Sequence, residues 1–96
     1  MAELQDLTDE QIDTMPAGQE LDDLVALSIG YEDYPQDIPC YSDDISDAWK
    51  VVEKIGLCVD YQTNTAIVSK NGIELAKAFN DAPLAICRAG LKAARQ

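Results

Sequence analysis

The sequence predicts an α+β fold, a three-stranded antiparallel sheet layered with helices in the order α-α-β-β-β-α. Three observations predict it. Residues 17–29 and 42–55 carry apolar side chains at helical spacing and each stretch runs into a glycine. Residues 57–79 read as short apolar strands divided by two polar turns, Thr63-Asn64 and Asn71-Gly72. Residues 82–94 resume the helical period behind an aspartate. Three strands with one apolar face need helices against that face to be stable, hence the layers.

Taken in order, Thr8 and Gln11 have capping-box spacing and predict a short helical turn before Pro16. The helix at 17–29 rests on Leu21, Leu24, Val25 and Ile29, with Glu20, Asp22 and Asp23 in its N-terminal half, where the macrodipole favours carboxylates. Residues 31–41 have neither helical nor strand period. That loop contains Pro35, Pro39 and three tyrosines, Tyr31, Tyr34 and Tyr41, among the carboxylates Glu32, Asp33 and Asp37. Tyrosines of this kind either tether a loop to the core or form a contact surface.

Ser42 is expected to cap the next helix, with Asp43 and Asp44 at its positive end. Ile45, Ala48, Trp49, Val52 and Ile55 make its apolar stripe, which predicts Trp49 buried against the sheet. Leu57, Val59 and Tyr61 alternate in the first strand, and Ala66-Ile67-Val68 forms the second. Residues 73–79 suit either helix or strand; Asn71-Gly72, a strong hairpin signal, favours strand. Asp81 caps the last helix, with Pro83 in its first turn and Leu84, Cys87, Leu91 and Ala94 along its inner face. Gly90, inside that helix, marks a place for close approach by a neighbouring element. Residues 1–15 are expected to be a partly ordered acidic segment and residues 16–96 a single domain.

Composition narrows the function. Of the 18 carboxylates in 96 residues, 14 lie in residues 1–49, which hold no Lys or Arg; all seven bases lie in residues 50–96. The two halves therefore carry −14 and +3. Such a half repels nucleic acid and anionic membrane and attracts basic surfaces over about a Debye length, roughly 8–10 Å. Helix 42–55 with the three strands and the last helix has the element order of a double-stranded-RNA-binding domain. The closing helix, however, starts Asp81-Ala82-Pro83-Leu84 and lacks the cations that phosphate requires.

Catalysis is not expected. Histidine is absent, which removes the commonest general base and every Ser-His or Cys-His arrangement. Cys40, Cys58 and Cys87 have no ligand spacing for zinc and read as reduced thiols of a cytoplasmic chain. Carboxylate pairs such as Asp43 and Asp47 suit helix ends better than magnesium. Neither metal nor cofactor is expected.

Three segments carry a family resemblance. Pro16-Ala-Gly-Gln-Glu-Leu-Asp-Asp-Leu-Val25, Tyr41-Ser-Asp-Asp-Ile-Ser-Asp-Ala-Trp-Lys-Val-Val-Glu-Lys54 and Ala82-Pro-Leu-Ala-Ile-Cys-Arg-Ala89 resemble, in order and spacing, the opening, central and closing signatures of the phage ABA-sandwich-domain family. The likeness covers about residues 16–94. The chain departs from the pattern in having Tyr31 where a Trp is usual and a short sheet region. The resemblance implies a phage or prophage origin and an α/β/α layered fold; with the cytoplasmic reading of the thiols, the host cytoplasm is the expected place of action. It brings no site residues.

Phage origin combined with the acidic half leads to one expectation above others. It is an anti-defence protein, specifically an anti-CRISPR inhibitor that occupies a basic, nucleic-acid-recognising surface of a Cas effector. Glu20, Asp22, Asp23, Glu32, Asp33, Asp37, Asp43, Asp44 and Asp47 would stand in for phosphates, and Tyr31, Tyr34 and Tyr41 would add contact area. Direct binding of nucleic acid or membrane is not expected; a homodimer is compatible with the sequence. Two alternatives stand beside this reading. One is a sponge for a nucleotide immune signal, using Arg88, Lys92 and Arg95, and the other is a phage structural or housekeeping protein.

Overall fold

The computed structural model describes residues 8–31 and 36–95. The elements are α1 (Asp9–Thr14), α2 (Gln19–Ile29), α3 (Ile45–Ile55), β1 (Cys58–Gln62), β2 (Thr65–Lys70), β3 (Ile73–Phe79) and α4 (Ala82–Arg95). The α+β class and its element order are those predicted, with α1 as an additional short helix. Thr8 and Gln11 form the reciprocal capping box that starts α1. That helix packs on α4 and buries Ile12 completely, so it shares the common core.

The strands form one antiparallel sheet in the order β1-β2-β3. Both hairpins turn through residues with positive φ, Thr63-Asn64 (51° and 63°) and Asn71-Gly72 (56° and 81°). Such turns match the twist of the flanking strands. Val68 pairs with Ala76 while Ser69 pairs with Glu74, which leaves Leu75 as an extra residue on β3. The bulge puts two consecutive residues, Leu75 and Ala76, on the buried side and resolves the helix-or-strand ambiguity of this stretch in favour of a bent strand.

Helix α4 is the hub. It packs against β2 and β3 on one side and against α2 and α3 on another. Residues paired across the sheet share a face, so Val59, Val68 and Ala76 point to α4 while Asp60, Ile67 and Lys77 point away. Asp60, Lys77 and Phe79 on the outer side are exposed. The sheet is therefore an outer layer with helices on one face, and the expected α/β/α order does not hold among the described residues. The inner face of α4 is Ala85, Ile86, Cys87, Ala89 and Leu91, all fully buried; Ala94, expected on that face, is exposed. Gly90 does admit a close neighbour: a Cβ there would stand 2.9 Å from Val51 Cγ1 and 3.4 Å from Ile55 Cδ1.

Two expectations for α3 are corrected. Its N-cap is Asp44, whose carboxylate accepts from the Ser46 and Asp47 N–H groups. Ser42 instead lies in the preceding turn, where its hydroxyl accepts the Gly18 N–H at 2.9 Å. Trp49 is not buried: it and Ile45 are each 45% exposed, while Ala48, Val51 and Val52 face the core. On a helix that turns about 100° per residue, Trp49 sits roughly 100° round from the centre of the buried stripe.

Candidate functional site

The predicted acidic face divides into residues at the surface and residues that hold the fold. Ser42 links them. Its N–H donates to Asp22 Oδ1 at 2.8 Å, and its hydroxyl meets Gly18, so the N-termini of α2 and α3 start at the same end of the molecule. Glu20, Asp43 and Asp44 are gathered there and exposed. Each sits near the positive end of a helix, where the dipole stabilises a carboxylate by a few tenths to about 1 kcal/mol.

Asp22 does not belong to that surface. It is 8% exposed and spends its carboxylate on the Ser42 N–H, which corrects the expectation that it is solvated. Asp23 is half-buried with Oδ1 turned inward. Tyr41 is also withdrawn, at 1% exposure, as one of the largest fully buried side chains. Burial first, and then the negative charge that Tyr31 and Asp47 bring near it, pushes the Tyr41 phenol up to about 12. Of the remaining loop residues, Tyr31 is half-buried and its hydroxyl donates to the Asp37 carbonyl at 2.8 Å, while Asp37 is exposed. Asp47 accepts the Cys40 N–H at 3.1 Å and pairs with Lys50 at 3.5 Å. Glu32, Asp33 and Tyr34 lie outside the described residues.

Beside the exposed carboxylates lies an apolar feature that sequence reasoning missed. Ile45, Trp49 and Tyr61 are large, exposed and adjacent to two depressions. One, of about 380 Å³, is lined by Ile45, Tyr61, Asn64, Ala66, Asn80, Asp81, Ala82 and Pro83. The other is lined by Ile45, Ser46 and Trp49, so Ile45 is their common wall. The β1–β2 and β3–α4 turns are locked together there by the Asn80 N–H donating to the Asn64 carbonyl at 2.8 Å, and Asp81 caps α4 through the Leu84 N–H. One signal for this patch was in the sequence: Val51 completes a stripe with Ala48, Val52 and Ile55 and leaves Ile45 and Trp49 on its flank.

Two cations of α4, Arg88 and Lys92, have structural partners, while the side chain of Arg95 lies outside those described. Lys92 pairs with Asp13 at 2.7 Å and donates to the Leu75 carbonyl, and Arg88 donates to the Met15 carbonyl at 2.8 Å. The basic pocket for an anionic ligand expected around them is therefore not open at these two residues. A different cleft of about 370 Å³ brings Lys50 and Lys54 beside Tyr31, Pro39 and Tyr41. Cys87 is buried, and its thiol is pushed well above the ordinary range by burial, with Asp22 and Asp81 adding to the effect; Cys40 and Cys58 are exposed and free. Among the described residues no group of His, Cys, Asp and Glu is arranged to hold a metal ion, and no helix is long and apolar enough to cross a membrane.

A family model described as the Phage ABA sandwich domain matches residues 21–91. The chain belongs to that family. The match runs from the core of α2 to Leu91 of α4 and so includes the buried Asp22, Tyr41 and Ser42 as well as the exposed Ile45, Trp49 and Tyr61. As a Phage ABA sandwich domain, the chain is a phage protein. Neither the curated proteins nor the solved structures contain a match to it.

Proposed function

We propose that this Phage ABA sandwich domain is an anti-defence protein that works by binding rather than catalysis. It would cover a basic, nucleic-acid-recognising surface of a host defence protein, most specifically a Cas effector in the host cytoplasm. The observation that carries the reading is the joint placement of Glu20, Asp43 and Asp44 at one end of the molecule, all exposed, with Trp49 uncovered on the helix that Asp44 caps. Carboxylates there offer a cationic channel the charge it evolved to hold, and steer the encounter. The face is smaller than the sequence predicts, because Asp22 and Tyr41 are committed to the core.

A second reading keeps a small anionic ligand, such as a nucleotide signal, but moves it. The cleft with Tyr31, Lys50 and Lys54 combines an aromatic ring and two ammonium groups, which suits such a molecule better than Arg88 and Lys92 do.

The test is protection of a targeted phage in hosts that each carry one active CRISPR system, followed by binding to the purified effector of the sensitive host. Binding should weaken with salt, and Glu20→Lys with Asp43→Lys should slow association while the protein still melts cooperatively. Protection that survives this double reversal but is lost on Lys50→Glu would favour the nucleotide reading. Protection against none of the systems would refute the Cas assignment.

A further inference from the structure

We propose that the groove between Ile45, Trp49 and Tyr61 is the anchor site for an arginine-bearing protein segment. The inference rests on the binding role above and names the chemistry that the partner brings. Ile45 and Trp49 stand four residues apart on one face of α3 and line one depression, and Ile45 lines the neighbouring one together with Tyr61, Ala66 and Pro83. Three large apolar side chains exposed side by side are a contact surface rather than the scattered apolar atoms of any protein exterior. Trp and Tyr dominate the energetic centres of interfaces because they bury much area at small entropic cost.

Charge selects the occupant. Asp81 lines the depression that Ile45 and Tyr61 share, Asp44 caps the helix that carries Ile45 and Trp49, and the described lining residues of both depressions include no base. The protein as a whole carries −11. A second copy would bring the same carboxylates against these, and nucleic acid or an anionic bilayer would bring phosphates. A basic segment meets attraction instead. Arginine fits better than lysine, since its planar guanidinium stacks on the indole and phenol rings and meets a carboxylate through paired donors. Apolar neighbours of that arginine would fill the depression beside Ile45.

The experiment uses the full chain and a capped eight-residue peptide of alternating arginine and leucine, with the protein's single Trp as reporter. The peptide should change Trp49 emission and shift the amide resonances of Ile45, Tyr61 and Ala82. Replacing leucine by serine, or arginine by glutamate, should weaken binding tenfold or more, and lysine for arginine several-fold. Ile45→Ser should cost at least tenfold in affinity, chiefly through faster dissociation, with an unchanged melting profile showing that it folds. Glu20→Lys with Asp43→Lys should instead slow association and leave the Trp49 response in place. Binding that shifts only residues around Glu20 and Asp43, with Ile45→Ser equal to wild type, overturns the anchor and leaves the acidic-face reading standing. Salt-independent binding to the defence effector, with the arginine peptide still seated at Trp49, does the reverse. A dimer at micromolar concentration that Ile45→Ser dissociates overturns the proposal by giving the groove to a second copy.

Discussion

Val51 of α3 and Gly90 of α4 meet so closely that a Cβ on Gly90 would stand 2.9 Å from Val51 Cγ1. Valine in a helix has one strongly preferred χ1 rotamer, so its methyl groups cannot swing aside at little cost. The contact sets the rotation of α3 about its axis. With Val51 and Ala48 inward, Trp49 is carried to the surface, and the candidate binding groove exists because of a contact made on the opposite side of the helix.

Gly90→Ala tests that contact. The added methyl favours helix by about 1 kcal/mol but overpacks against Val51 at a cost of about 1–3 kcal/mol. Urea denaturation should show a net loss of stability. Repeating the change in a Val51→Ala background removes the clash, and there Gly90→Ala should become stabilising. Stabilisation already in the wild-type background would show that the two helices have room to spare.

Trp49→Ala should cost about 1–2 kcal/mol, because the ring is only part-buried, whereas Leu91→Ala in the core should cost about 2–5 kcal/mol. The native fluorescence maximum should lie toward that of a water-exposed indole, and acrylamide should quench it efficiently. A blue-shifted, protected emission would contradict the exposed position.

Asp22→Ala leaves the Ser42 N–H buried without its acceptor and should cost about 1–3 kcal/mol in denaturant. Asp22→Asn keeps an acceptor oxygen and should retain more of the stability. Glu20→Ala, at an exposed position, should change stability by less than about 0.5 kcal/mol. Equal effects at positions 20 and 22 would mean that Asp22 is solvated after all.

Stability should decline on the alkaline side. Tyr41 and Cys87 both ionise to anions that burial disfavours, so their folded values lie above the ordinary 10.0 and 9.0. The neutral forms confer full stability below those ordinary values. It is lost as pH rises past 9 for Cys87, and from 10 through about 12 for Tyr41. Denaturant midpoints measured from pH 7 to 11.5 should show the fall, and Tyr41→Phe should reduce its slope. In the native state at neutral pH, a thiol reagent should modify Cys40 and Cys58 and spare Cys87.

Local sequence determined the elements and most of their ends, the start of α3 excepted, because those depend on groups a few residues apart. The capping box of Thr8 and Gln11, the Asn71-Gly72 turn, the Asp81 cap and the stop at Gly56 are all short-range chemistry, and each stands where its residues place it. The crowding of carboxylates into residues 1–49 was equally legible, as was the acidic character of any face built from them. Which of those carboxylates reach the surface was not. Asp22 and Glu20 are two residues apart on the same helix, and only the arrival of Ser42 from 20 residues along the chain turns one of them into a core acceptor. Trp49 left its expected place for the same kind of reason, and packing decided between core and surface for Tyr41. A stripe read from spacing has a width but no fixed centre; Val51 against Gly90 supplied the centre and left the tryptophan outside. The bulge at Leu75 and the position of α4 between sheet and helices likewise come from packing, where side chains distant in sequence compete for one volume.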